Sequence, residues 1–162
     1  MNAAYTPSAW SNFFVALTGA SAALTGLVIV AISINLATII KERSISGRAM
    51  ETVSLLACIL VVSVFGNVPG QPDWILGLEI LAAGLVAWIG TTIISAHAGR
   101  HPLEPRWLRE TITHGATFPV VLAGGTLILQ TGGGLYWLVP GIVVAFVGGV
   151  INTWVLLVEV LR

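Results

Sequence analysis

Charge is scarce in this chain. Only 9% of its 162 residues are Asp, Glu, Lys or Arg, against about 25% in a soluble domain. With 56% hydrophobic residues, that deficit excludes a water-soluble globule and marks an integral membrane protein. Seven basic and seven acidic residues cancel, so no net field draws nucleic acid. The single cysteine, Cys58, excludes an intrachain disulfide and cannot by itself make a metal site. Inside an apolar run it reads as a small core residue. Catalytic signatures are missing as well: there is no phosphate-binding glycine loop, no nucleophile elbow and no His-Glu-x-x-His. No enzyme and no cofactor are expected. The opening MNAAYTPSAW lacks the positive region of a signal peptide, so the first hydrophobic helix is expected to act as its own insertion signal and to remain.

Hydrophobic runs dominate instead. Residues 13–40 carry no charge over 28 positions, more than the roughly 20 needed to span a bilayer core. Successive runs predict an all-α fold of five transmembrane helices in one domain, over about 12–40, 49–67, 74–96, 111–131 and 136–161. The punctuation between them is a turn at Gly47, the prolines and glycine of NVPGQPD, the polar stretch HAGRHPLEPRWLRE, and the triplet Gly132, Gly133 and Gly134. Glu104 with Pro105 suggests a helix start, and Trp107 with Leu108 a short piece on the membrane surface. Pro119 is expected to kink the fourth helix; an alternative with four spans makes that helix re-entrant there.

An odd number of spans puts the termini on opposite sides. With the N-terminus outside, Lys41, Arg43, Arg48, Arg100, Arg106, Arg109 and Arg162 all fall in the cytoplasm, as the positive-inside rule requires. The expected topology is N-terminus outside and C-terminus cytoplasmic, in a bacterial inner membrane.

Within the first helix, Gly19, Ala22, Ala23 and Gly26 recur at helical steps, with Ser33 one heptad further. Small stripes let backbones approach closely in lipid. The fifth helix has a similar ladder at Gly141, Ala145 and Gly149. Thr18, Ser21, Thr25 and Asn35 form a polar stripe that either bonds back to its own helix or lines a pathway. Asn152 is expected to hydrogen-bond across helices, since an unpaired amide in hydrocarbon is costly. His114 enters the fourth helix at a depth that allows contact with Asn152 or Glu159. Glu79 is the more informative acid. It lies about five residues, roughly 7 Å, into the third helix, and an intramembrane carboxylate is a candidate ion or proton site. Its other reading is a bond to an outer loop or a helix end. His97 and His101 have a metal-ligand spacing, but nothing completes a tetrahedral set and no metal is expected.

The opening WSNFFVALTGASAALTGL, the VAISINL after it and the closing INTWVLLVEVL resemble a group of small bacterial membrane proteins labelled modulators of the FtsH membrane protease. The resemblance covers the two end helices and implies no catalytic residue. SAALTGLVIVA is similar to the pore helix of store-operated calcium channels. That family has a selectivity glutamate near Ile34 and the opposite direction, so the likeness is one of packing pattern.

The expected function is that of a non-enzymatic membrane protein that self-associates through small-residue helix faces, with an oligomeric ion-conducting pore as its sharpest form. The alternative is an accessory subunit or regulator of a larger membrane complex such as a protease. Expected partners are the lipid bilayer, other copies of the chain and that larger complex; no nucleic acid is expected.

Overall fold

A computed structural model describes residues 3–97 and 106–158. It is all-helical, with no strand among the described residues. The helices are α1 (Ser11–Ile34), α2 (Leu36–Ile39), α3 (Arg43–Gly66), α4 (Asp73–His97), α5 (Arg106–Leu129) and α6 (Leu138–Val158). Short 3-10 turns precede α1 and α6. Five of the helical segments are long and apolar enough to cross a membrane. α5 runs unbroken past Pro119, which removes the re-entrant alternative. Its backbone is helical from Arg106, so Trp107 and Leu108 belong to its first turn and form no separate surface piece. Glu104 and Pro105 lie outside the described residues.

Two punctuation signals act differently from their sequence reading. Asn35, not the charged Lys41 and Glu42, ends the first long helix. Its backbone leaves the helical region (φ −106°, ψ 16°), and its carbonyl accepts the amides of Thr38 and Ile39 to start α2. Gly47 makes no turn; it is buried inside α3, which begins at Arg43. α2 and the start of α3 are held by a small cluster of Ala31, Ile39 and Ala49.

α3 packs against α1, α4 and α6, while α5 lies against α4 and α6, and α6 returns to α1. The main core is filled by Phe14, Ile59, Leu76, Ile80, Ala123, Leu127, Leu135 and Leu138, among others. The closest approach is between α4 and α5. A Cβ on Gly124 would lie 2.7 Å from the Gly77 carbonyl oxygen and from Leu81 Cα, and a Cβ on Gly84 3.1 Å from the Val121 amide. The Gly141–Ala145–Gly149 ladder is buried inside the bundle: Gly141 faces the Ala116 carbonyl of α5 and Gly149 faces Leu56 of α3.

The glycine triplet is required by the backbone. Gly132, Gly133 and Gly134 all have positive φ (82°, 116° and 54°), which side chains with a Cβ rarely adopt. The turn also receives the N-terminal segment: the Gly133 amide donates to Tyr5 Oη at 3.0 Å. A Cβ on Gly134 would sit 2.8 Å from the Ala4 carbonyl carbon. Trp10 holds that segment down by donating its indole N–H to the Ala3 carbonyl (2.7 Å) and stacking edge-on against Tyr136.

Candidate functional site

Four polar groupings and one bare helix face are the features that could carry function. The polar stripe of α1 is turned inward on its own helix. Thr18 donates to the Phe14 carbonyl, Ser21 to Leu17, Thr25 to Ser21 and Ser33 to Ile29, at 2.7–2.8 Å. Such i−4 bonds satisfy a hydroxyl without a partner helix. Ser21 and Asn35 are buried, and Thr18 also accepts from Asn67 at the end of α3. Within the single chain the donor hydrogens of Thr18, Ser21 and Thr25 are thus taken up by their own helix.

At the end of the bundle that holds Arg48 and Arg109, the basic end, charge is taken below the surface. Arg109 on α5 makes a two-pronged ion pair with Glu51 on α3, Nε to Oε2 at 2.9 Å and Nη2 to Oε1 at 2.7 Å. Glu51 is 5% exposed. α3 and α5 otherwise barely touch, so this pair is their main link. One turn away, Arg48 donates to Asn152 Oδ1 (2.8 Å), and Asn152 Nδ2 donates to Thr52 Oγ1 (2.8 Å). α3 is thereby tied to α5 and α6 through a desolvated network, which is costly to break on one side. The expected cross-helix role of Asn152 is met by Arg48 and Thr52 rather than by His114. Glu159 lies outside the described residues.

His114 is exposed on α5 and turned to α4, where Trp88 Nε1 donates to its Nδ1 at 3.0 Å. The ring also stands edge-on to Trp88, which meets Phe118 in the same way. Beside it is a cavity of about 130 Å³ lined by Thr92, Ser95, Ala96, Glu110, Thr113 and His114. A wider, more open hollow along Glu110, Thr111, His114, Gly115 and Phe118 adjoins it. His97 bonds the Ile93 carbonyl in its own helix; His101 lies outside the described residues. No group of three or more metal-ligating side chains occurs among the described residues.

At the opposite end Glu79 is half-buried, and its carboxylate accepts the side-chain amide of Gln71 from the α3–α4 connection. This is the bond to an outer loop that was the other reading of Glu79, with the Gln71 amide as its donor. The bond pins the loop over the first turns of α4.

The bare face belongs to α1. Gly19, Ala22, Gly26 and Ser33 are all exposed, and a Cβ on Gly19 or Gly26 would meet nothing within 4 Å. Within one chain this stripe is no helix interface. Sequence reasoning passed over Glu51, Gln71, Gly77, Gly84 and Gly124. Glu51 carried a signal, as the only acid inside its span. Gly77 and Gly84, a heptad apart, carried another. Comparison of the chain with protein-family models, curated proteins and solved structures finds no match.

Proposed function

We propose that this chain is a non-enzymatic integral membrane protein that self-associates through the small-residue face of α1. The N-terminus is placed outside and the basic end, with the C-terminus, in the cytoplasm. The observation that carries the reading is the contrast between two similar ladders. The α6 ladder is filled by α5 and α3, whereas the α1 ladder is open. Each glycine in a helix interior costs about 1 kcal/mol relative to alanine, and within one chain no contact offsets it at Gly19 and Gly26. Gly90 on α4 and Gly125 on α5 are also open, but each without a second open glycine on its helix among those described. α1 also buries the smallest share of its span, 22% against 28–50% in the others. A second copy docked on this face supplies the close backbone packing that associates helices in lipid.

Lys41, Arg48 and Arg109 support the orientation, since the positive-inside rule puts them in the cytoplasm. An ion path, if the assembly has one, runs between protomers, because the interior of one protomer is packed with large side chains. The resemblance of the end helices to the protease-modulator group favours a second reading, in which α1 docks on a foreign membrane subunit.

Cysteine cross-linking in native membranes tests the reading. On a Cys58→Ser background, Ala22→Cys should give disulfide-linked dimers under mild oxidation. Val86→Cys, on the exposed face of α4 (72%), should not. Equal cross-linking at the two sites would remove α1 as a homotypic interface. A cross-link to a different protein would support the accessory reading.

A further inference from the structure

We infer that the groove between the basic ends of α4 and α5 is a binding site for the headgroup of a zwitterionic phospholipid with a primary amine. Its depth is the first argument. The groove residues of α4, Thr92 to Ala96, lie within the last turns of a 25-residue helix, which at 1.5 Å per residue is about 37 Å long. A bilayer's hydrocarbon core is about 30 Å and its polar zones add roughly 5–8 Å on each side. Glu110 and His114 lie in the first turns of the span that begins at Arg109. Both walls therefore meet at headgroup level.

Its chemistry is the second argument. An indole N–H can only donate, so His114 Nδ1, which accepts from Trp88, carries no proton. That leaves Nε2 as the ring nitrogen that can donate, and His114 stands in the wall of the cavity. The Ser95 hydroxyl beside it is a second donor, while Thr92 has committed its own proton to the Trp88 carbonyl. Two donors suit the phosphate oxygens of a lipid. The Glu110 carboxylate at the same wall has several acceptor positions and suits an ammonium, whatever else it contacts. Donors and a carboxylate side by side match a headgroup that carries both charges. A trimethylated amine cannot donate to Glu110, and a glycerol headgroup offers no cation.

Its opening is the third argument. The wider hollow continues along Gly115 and Phe118, and Phe118, Ile89 and Ile93 are 48%, 58% and 53% exposed. An acyl chain leaving the polar pocket meets an apolar lane on the outside of the bundle.

The test is native mass spectrometry of the purified full-length protein, titrated in detergent with phosphatidylethanolamine, phosphatidylcholine or phosphatidylglycerol of identical acyl chains. Wild type should retain phosphatidylethanolamine about tenfold better than either other lipid, the effect of one hydrogen bond to a charged group. His114→Phe and Glu110→Gln should each abolish the preference, while Glu79→Gln at the opposite end keeps it. Trp88→Phe preserves the packing ring and frees His114 Nδ1, and should weaken the preference with helicity unchanged. Ser95→Ala serves the same purpose if His114→Phe misfolds. Equal retention of all three lipids by wild type would overturn the assignment. So would stronger retention of phosphatidylglycerol, or a preference that survives both Glu110→Gln and Ser95→Ala.

Discussion

Replacing Gly124 by alanine adds one methyl group where α4 and α5 are closest. That methyl would lie 2.7 Å from the Gly77 carbonyl oxygen and from Leu81 Cα, against 3.4–4 Å for ordinary contact. Both neighbours are backbone, so no side chain can swing away. The two helices must part by about 1 Å, and a gap of that size forfeits a quarter to a half of each dispersion contact it opens. Val121 against Gly84 and Ile128 against Gly77 are among the contacts opened. Overpacking of this kind costs about 1–3 kcal/mol, and a backbone clash belongs near the upper end. Alanine returns about 1 kcal/mol of helix propensity, leaving a net loss of roughly 2 kcal/mol. For a chain of this length that lowers the melting temperature by roughly 4–8 °C. The adjacent Gly125 supplies the control, because a Cβ there meets nothing within 4 Å. Unfolding followed by circular dichroism in mixed micelles should show Gly124→Ala destabilised and Gly125→Ala unchanged or slightly stabilised. Equal effects at the two positions would refute the packing argument.

Glu51→Gln should destabilise the fold by about 2–3 kcal/mol by stranding the Arg109 guanidinium, below the 3–5 kcal/mol of a fully buried pair because Arg109 is 19% exposed. The exchanged pair Glu51→Arg with Arg109→Glu should recover part of that loss in the same unfolding assay. Gly134→Ala should cost about 2–3 kcal/mol, since it sets a methyl against Ala4 at a positive-φ position, and limited proteolysis should cut the N-terminal segment faster. Glu79→Gln should leave helicity and assembly intact, because an amide can still meet Gln71. Liposome flux that is present in wild type and lost in Glu79→Gln would assign Glu79 an ion site.

Hydropathy and charge made the spans legible, because a bilayer tolerates few alternatives to a long apolar helix. The breaks were harder. Asn35 sits among apolar residues with no glycine or proline beside it, and its capping carbonyl is a backbone property. Gly47 was misleading for the opposite reason: a glycine signals a turn in a loop but close packing in a buried helix. Small-residue periodicity reveals a smooth face and not its occupant, so Gly26 and Gly141 look alike in sequence, yet within one chain Gly26 faces open space and Gly141 faces α5. Trp88 and His114 are 26 residues apart, and only the α4–α5 packing brings the indole to the imidazole. The Glu51–Arg109 pair is likewise a product of topology, joining helices that are not sequential neighbours.

The most direct measurement is the oligomer distribution of the protein extracted in native lipid particles, compared for wild type, Gly26→Leu and Leu27→Ala. A Cβ at Gly26 meets nothing within 4 Å of its own bundle, so a leucine there should preserve the fold and shift the particles to single chains. Leu27, 51% exposed beside the stripe, should tolerate truncation with assembly retained. A defined wild-type oligomer that Gly26→Leu alone dissolves is the predicted result. Single chains in wild type, or the same oligomer in all three, would contradict self-association through α1.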